Sequence, residues 1–230
     1  MPKPFGGSKK KRTISILLLI LCLAGLADAA NKTISLSSVT NNSWCGDLGV
    51  YNLNCSTFPY GTKHYNGIPF LIEGTKKGTE NDAWFADHAA GGGGDVVSVT
   101  IPINVAKVKT VYTLMNTIWG STATGLLSIT FTGSEGATWT FDPIGGVNVR
   151  DYNNGNYTDT CICQLPGGVG EAGTINAWVN GDGQRLDEQI YELPAAFATQ
   201  TLVSITITDS GNEDVQRSFL AAVTVSTTGP

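Results

Sequence analysis

A two-residue rhythm of apolar and hydroxyl-bearing side chains constrains this chain more than any other feature. Val97, Val99, Ile101 and Ile103 alternate with Ser98, Thr100 and Pro102. The pattern returns in Leu127, Ile129 and Phe131 against Ser128, Thr130 and Thr132, and in Val203, Ile205 and Ile207 against Ser204, Thr206 and Thr208. Successive side chains of a strand point to opposite faces, so each run predicts a strand with one dry face and one wet face. Gly133 to Gly136 turns the second run into Trp139 and Phe141, flanked by Thr138 and Thr140, which reads as a hairpin. Thr110 to Asn116 is apolar on both sides and predicts a central strand. Val147 to Tyr152 reads as a shorter strand ended by Asn153-Asn154-Gly155, and Phe219, Ala221, Val223 and Val225 as the last one. No window carries a helical period with caps, and no internal repeat is present. Thr and Val enrichment, 28 glycines and only 14% charged residues fit short strands joined by turns, hence an all-β sandwich or barrel.

Three stretches break the rhythm. Asn31 to Tyr65 is polar, aromatic and cysteine-bearing; Gly91 to Gly94 reads as a flexible loop; Asp159 to Gly173 reads as a long loop. Ahead of them the N-terminus has the three parts of a secretion signal. Lys9, Lys10, Lys11 and Arg12 precede an apolar run from Ile14 to Leu26, and Ala27-Asp28-Ala29 offers small residues to a signal peptidase. A spanning helix needs about 20 apolar residues, more than this run contains. Leu21 before Cys22 argues against a lipoprotein signal. The expected organisation is a signal peptide over 1–29, an N-terminal extension with Cys45 and Cys55 over 30–66, and a β-sandwich over 67–227. The expected location is outside the cell or in a periplasm.

Removing the signal takes five of the 14 Lys+Arg and one of the 19 Asp+Glu, leaving a net charge of about −9. No basic stripe remains for nucleic acid, and this balance repels an anionic membrane surface, so neither is an expected partner. Four cysteines also remain, an even number that in an exported chain favours disulfides. Cys45 with Cys55 closes a short loop, which leaves Cys161 to bond Cys163. Sequence alone permits three pairings, and a zinc or redox role for these cysteines stays open beside them.

From Gly67 onward the order of segments resembles a galactose-binding-like jelly roll, the β-sandwich of many carbohydrate-binding modules. The likeness is carried by Ile68-Pro-Phe, Val99-Thr-Ile-Pro-Ile, the run from Val108 to Gly120, Gly146-Val-Asn-Val-Arg-Asp-Tyr, and the closing strands around Thr201 to Asp209 and Phe219 to Val225. It covers about 160 residues and rests on pattern rather than on an invariant signature. In that family a strand ends in a polar residue and a Trp, here Asn116 with Trp119. A later exit carries an Asn-x-x-Asp-aromatic pattern, here Asn148 with Asp151 and Tyr152. The resemblance implies a jelly-roll fold and sugar binding at one end of the sandwich. A structural calcium ion is common in that fold, and Glu80, Asn81, Asp82, Asp87 and Asp95 supply hard oxygens in one stretch.

Sugar binding asks for an aromatic face and fixed polar partners. Asn116, Trp119, Arg150, Asp151, Tyr152 and Trp178 are the candidate ligand contacts, with Trp178 grouped beside Asn176, Asn180 and Asp182. Arg150 and Asp151 serve equally well as a structural ion pair with a neighbouring strand. Enzyme readings find less. His64 and His88 are the only histidines, no Gly-x-Ser-x-Gly occurs, and the four glycines lack the Lys-Ser/Thr of a phosphate loop. Asp151, Asp187 and Glu188 are candidates for a glycosidase carboxylate pair. Four Asn-x-Ser/Thr triplets, beginning at Asn31, Asn41, Asn54 and Asn156, match the glycosylation pattern. The leading expectation is an exported, non-catalytic sandwich that binds carbohydrate. The others are an adhesive or structural surface protein and a carboxylate-dependent glycoside hydrolase.

Overall fold

The computed structural model describes residues 1, 31–44, 56–75, 80–87, 95–153, 158, 160–211 and 216–228. Residues 2–30 of the N-terminus, Cys45, Cys55, His88, the Gly91–Gly94 loop, Asn54 and Asn156 lie outside them. Among the described residues no helix is long and apolar enough to cross a membrane.

The chain is an all-β sandwich. One sheet runs β5 (Val97–Ala106), β11 (Thr201–Asp209), β7 (Leu127–Gly133) and β8 (Thr138–Phe141). The other runs β1 (Lys32–Ile34), β12 (Arg217–Ser226), β6 (Thr110–Ile118), β10 (Arg185–Glu192) and β9 (Ala172–Val179), with β4 (Trp84–Phe85) also on β12. Every pairing within them is antiparallel. The alternating runs do as their pattern requires except at Val203, where a bulge between Leu202 and Ser204 puts Leu202 into the core in its place. Val99, Ile101, Ile103, Ile129, Phe131, Ile205 and Ile207 point into one core with Val111, Met115, Val223 and Val225 of the facing sheet. Their hydroxyl-bearing neighbours form a wet outer face, where Thr100 pairs with Thr206 at 3.0 Å and Thr130 with Thr140 at 2.9 Å. Pro102, which has no N–H for a ladder, sits on β5 at the sheet edge.

The second sheet is covered on both faces, and this explains why β6 lacks alternation. Its outer side carries Tyr112, Leu114, Ile118, Leu186, Ile190 and Phe219, packed against Trp44, Phe58, Phe70, Ile72 and Phe85. Phe70 and Ile72 belong to a separate hairpin of β2 (Gly61–Tyr65) and β3 (Ile68–Ile72), which forms a third layer. Its two-residue turn is Asn66-Gly67, with φ of 47° and 85°, the doubly positive geometry that matches strand twist.

The stretch before residue 67 is part of this fold. β1 pairs with β12, Leu36 is fully buried, and Trp44 stacks on Phe58 at 4.3 Å between ring centroids. Its polarity misleads because polar groups here find partners across the fold: Asn41 exchanges hydrogen bonds with the Phe85 backbone, and Asp82 accepts from the Trp44 backbone at 2.7 Å. The Val147–Tyr152 stretch is a turn flanked by isolated bridges rather than a strand. Conversely, β9 and β10 are full strands over residues whose polarity hid them.

Candidate functional site

The expected ligand residues gather at the β6–β9–β10 end of the sandwich, but most of them bond one another. Arg150 forks onto Asp187, with Nε to Oδ2 and Nη2 to Oδ1 both at 2.7 Å, and Nη2 also reaches Asn176 Oδ1 at 3.1 Å. Asn116 donates to Asp187 Oδ2 at 2.8 Å while its own Oδ1 accepts the Asp187 N–H at 2.9 Å. The Arg150 side chain is 15% exposed and that of Asp187 is fully buried. Here the ion-pair reading of Arg150 describes the geometry. Its partner strand is β10.

Asp151 is also buried. Burial pushes its carboxyl up to about 6, partly offset by the Asn153, Gly120 and Trp119 backbone N–H groups and by the nearby Arg185 charge. Asp151 and Trp119 therefore share no open concave surface. Trp119 follows the end of β6 with φ of 53°, half-buried, with the Arg217 guanidinium 5.9 Å from its ring centroid. Tyr152 belongs to the outer-face core and stands edge-on to Trp44. Trp178, half-buried on β9, meets Phe58 edge-on. Tight packing around Asp151 makes Gly120 necessary, because a Cβ there would overlap the hydroxyls of Thr117 and Thr158. Gly120→Ala is expected to lower stability by about 1–3 kcal/mol, an overpacking cost, seen as a lower thermal midpoint.

The carboxylates singled out for calcium do not converge. Asp82 is buried and accepts from Trp44 N, Ser43 Oγ and Tyr60 Oη. Asp87 bonds Arg217 at 3.0 Å, while Glu80 and Asp95 are exposed. No group of three or more His, Cys, Asp or Glu side chains among the described residues could hold a metal ion. The Cys161 and Cys163 sulfurs lie at disulfide distance, with Cα atoms 5.1 Å apart.

A different place on the same strands offers an open cleft. Asn66, Ile68, Tyr112, Leu165, Ile175, Glu188 and Ile190 line a cavity of about 310 Å³ on the outer face of the second sheet. The hairpin turn aims Asn66 into it, where Nδ2 donates to Glu188 Oε2 at 2.8 Å and to the Asn176 carbonyl at 3.3 Å. Glu188 is 1% exposed, and burial drives its carboxyl up to about 7, with the Asn66 bond only partly opposing. The same burial raises Tyr112, helped by the Glu188 and Glu192 charges. An apolar cleft with a few convergent polar groups and a perturbed acid is what a small-molecule site requires.

Glu188 and Asp187 are neighbours on β10 and face opposite sides, one toward Asn66 and the other toward Arg150. They do not face each other across one cleft. Asn66 was not among the sequence candidates, although the Asn-Gly pair between Tyr65 and Ile68 is a strong hairpin signal. No protein-family model matches the chain, and no curated protein matches it.

Proposed function

We propose that this chain is an exported, non-catalytic sandwich of the galactose-binding-like jelly-roll kind that binds carbohydrate in the Glu188 cleft. The observation that carries the reading is the cleft's composition: aliphatic walls and Tyr112 for the C–H face of a sugar ring, with a carboxylate and an amide for its hydroxyls. Its volume stands at the small end of the range of about 300–1,000 Å³ for ligand sites, which suits a single ring. Support for export comes from the tripartite N-terminus, and support for the jelly roll from the segment order. The opposed faces of Asp187 and Glu188 favour binding over hydrolysis.

A glycan array followed by calorimetry tests this reading. Asn66→Gly keeps the positive-φ turn and removes the amide, so it is expected to weaken binding about tenfold, the scale of a hydrogen bond at a charged group. Absence of binding to any glycan sinks the proposal. Loss on Trp119→Ala with no effect of Asn66→Gly moves the site to the loop end.

A second reading, protein contact, has its own observation. Ile162, Leu165 and Val169 are 60%, 63% and 66% exposed along the loop that carries Cys161 and Cys163. Concentration-dependent assembly abolished by Val169→Ser would favour it.

A further inference from the structure

We infer that the occupant of the Glu188 cleft carries a protonated amine, so that its sugar is an amino sugar with a free rather than acylated amino group. This rests on the carbohydrate reading of the cleft. Five acids are buried among the described residues: Asp82, Asp151, Asp187, Glu188 and Asp209. Four of them are well supplied. Asp187 holds the Arg150 fork and Asn116; Asp151 has backbone N–H groups and the Arg185 charge. Asp82 takes Trp44, Ser43 and Tyr60, and Asp209 takes the Gly211 and Ser218 N–H groups at 2.8 and 2.7 Å.

Glu188 differs. Its hydrogen bond comes from one neutral amide, on Oε2, and no Lys, Arg or His forms an ion pair with it among the described residues. A carboxylate offers two oxygens with about four acceptor positions, and among the described residues the Asn66 amide takes one of them on a side chain that lines the cleft. A buried charge left so is costly unless it is paired. Another neutral hydroxyl would add one bond and leave the charge uncompensated. An ammonium group supplies up to three donors together with the opposite charge, and charge-assisted bonds are about twice as strong as neutral ones. Tyr112, on the same wall, is a side chain compatible with a neighbouring cation. An acyl group on the amine would remove that charge. The net charge of about −9 after signal removal further favours encounter with a cationic oligomer.

Calorimetry of the purified protein with a glucosamine trimer, its N-acetylated counterpart and the matching glucose trimer decides the matter, near neutral pH and physiological salt. The free-amine trimer is expected to bind at least about tenfold more tightly than either neutral one, and the isosteric Glu188→Gln to erase that preference. Equal binding of all three trimers overturns the amine inference and leaves the carbohydrate reading standing. No binding by any trimer or array glycan overturns both. A preference that survives in Glu188→Gln places the amine elsewhere and overturns the assignment. Should Glu188→Gln fold poorly, the wild-type protein still answers by NMR. The free-amine trimer is expected to shift the Asn66 side-chain amide resonances, and an unmoved Asn66 overturns the inference.

Discussion

Asp187→Ala is expected to cost about 3–5 kcal/mol of folding stability, the scale for removing one partner of a buried ion pair. Most single domains have only about 5–15 kcal/mol in total, so the variant stands near the edge of folding. The cause is not the loss of attraction alone. The Arg150 guanidinium loses both arms of its fork, and its remaining side-chain partner, Asn176, is neutral. Asn116 loses the carboxylate that accepts its amide while its Oδ1 stays committed to the residue 187 backbone. One substitution thus takes the carboxylate from two side chains at once, leaving Arg150 with Asn176 and the Asn116 amide with the Arg150 carbonyl at 3.3 Å. Removing both charges together, as in Arg150→Met with Asp187→Leu, is expected to recover much of the loss, because no uncompensated charge remains. Urea unfolding of the two single variants and the double variant measures this. A single-variant loss below about 1 kcal/mol would mean that the pair does not hold this end of the sandwich, and would reopen Arg150 as a ligand residue.

The second large effect is on pH. Burial lifts Glu188 from the ordinary 4.5 to about 7 and lifts Asp82 and Asp151 to about 6. A carboxyl whose folded pKa lies above its unfolded value holds its proton more tightly in the folded state. Its contribution is therefore fully present below the usual carboxylate range and is lost as pH rises through 6 and 7. For Glu188 alone the shift corresponds to on the order of 3 kcal/mol. The thermal midpoint is expected to be higher near about pH 5 than near about pH 8, and Glu188→Gln to flatten the slope by raising the alkaline end. A midpoint that climbs steadily over that window would contradict the burial of these acids. The wild-type acid is thus expected to cost stability at neutral pH relative to its amide.

The sandwich was legible because Val99, Ile129 and Ile205 alternate with hydroxyl-bearing residues, and half-buried strands impose that period. β6 was legible as central because its apolar residues occupy both faces. β10 was not, since Arg185, Asp187, Glu188 and Gln189 are polar residues in a strand that is almost wholly buried. What permits their burial is a set of partners far away in sequence: Arg150, Asn116 and Asn66, and for Gln189 the hydroxyl of Thr113 at 3.1 Å. Pairing at that distance leaves no local trace. The same cause hides the pairing of Arg150 and Asp151, which look free until their partners are known. The segment over 30–66 read as an extension because Trp44 and Phe58 find their apolar surroundings only against Phe219 and Tyr152.

The position of β12 has a temporal consequence. This strand comes last among the described elements, yet it lies between β1 and β6 and also pairs with β4. Until it emerges, the strand nearest the N-terminus has no ladder and the central strand has one open edge. Contacts this distant in sequence form slowly, since a long loop must close before any of them is made. A chain built in this order is therefore expected to complete its second sheet only after β12 has been made, so that a chain ending before Arg217 leaves β1 and one edge of β6 unpaired.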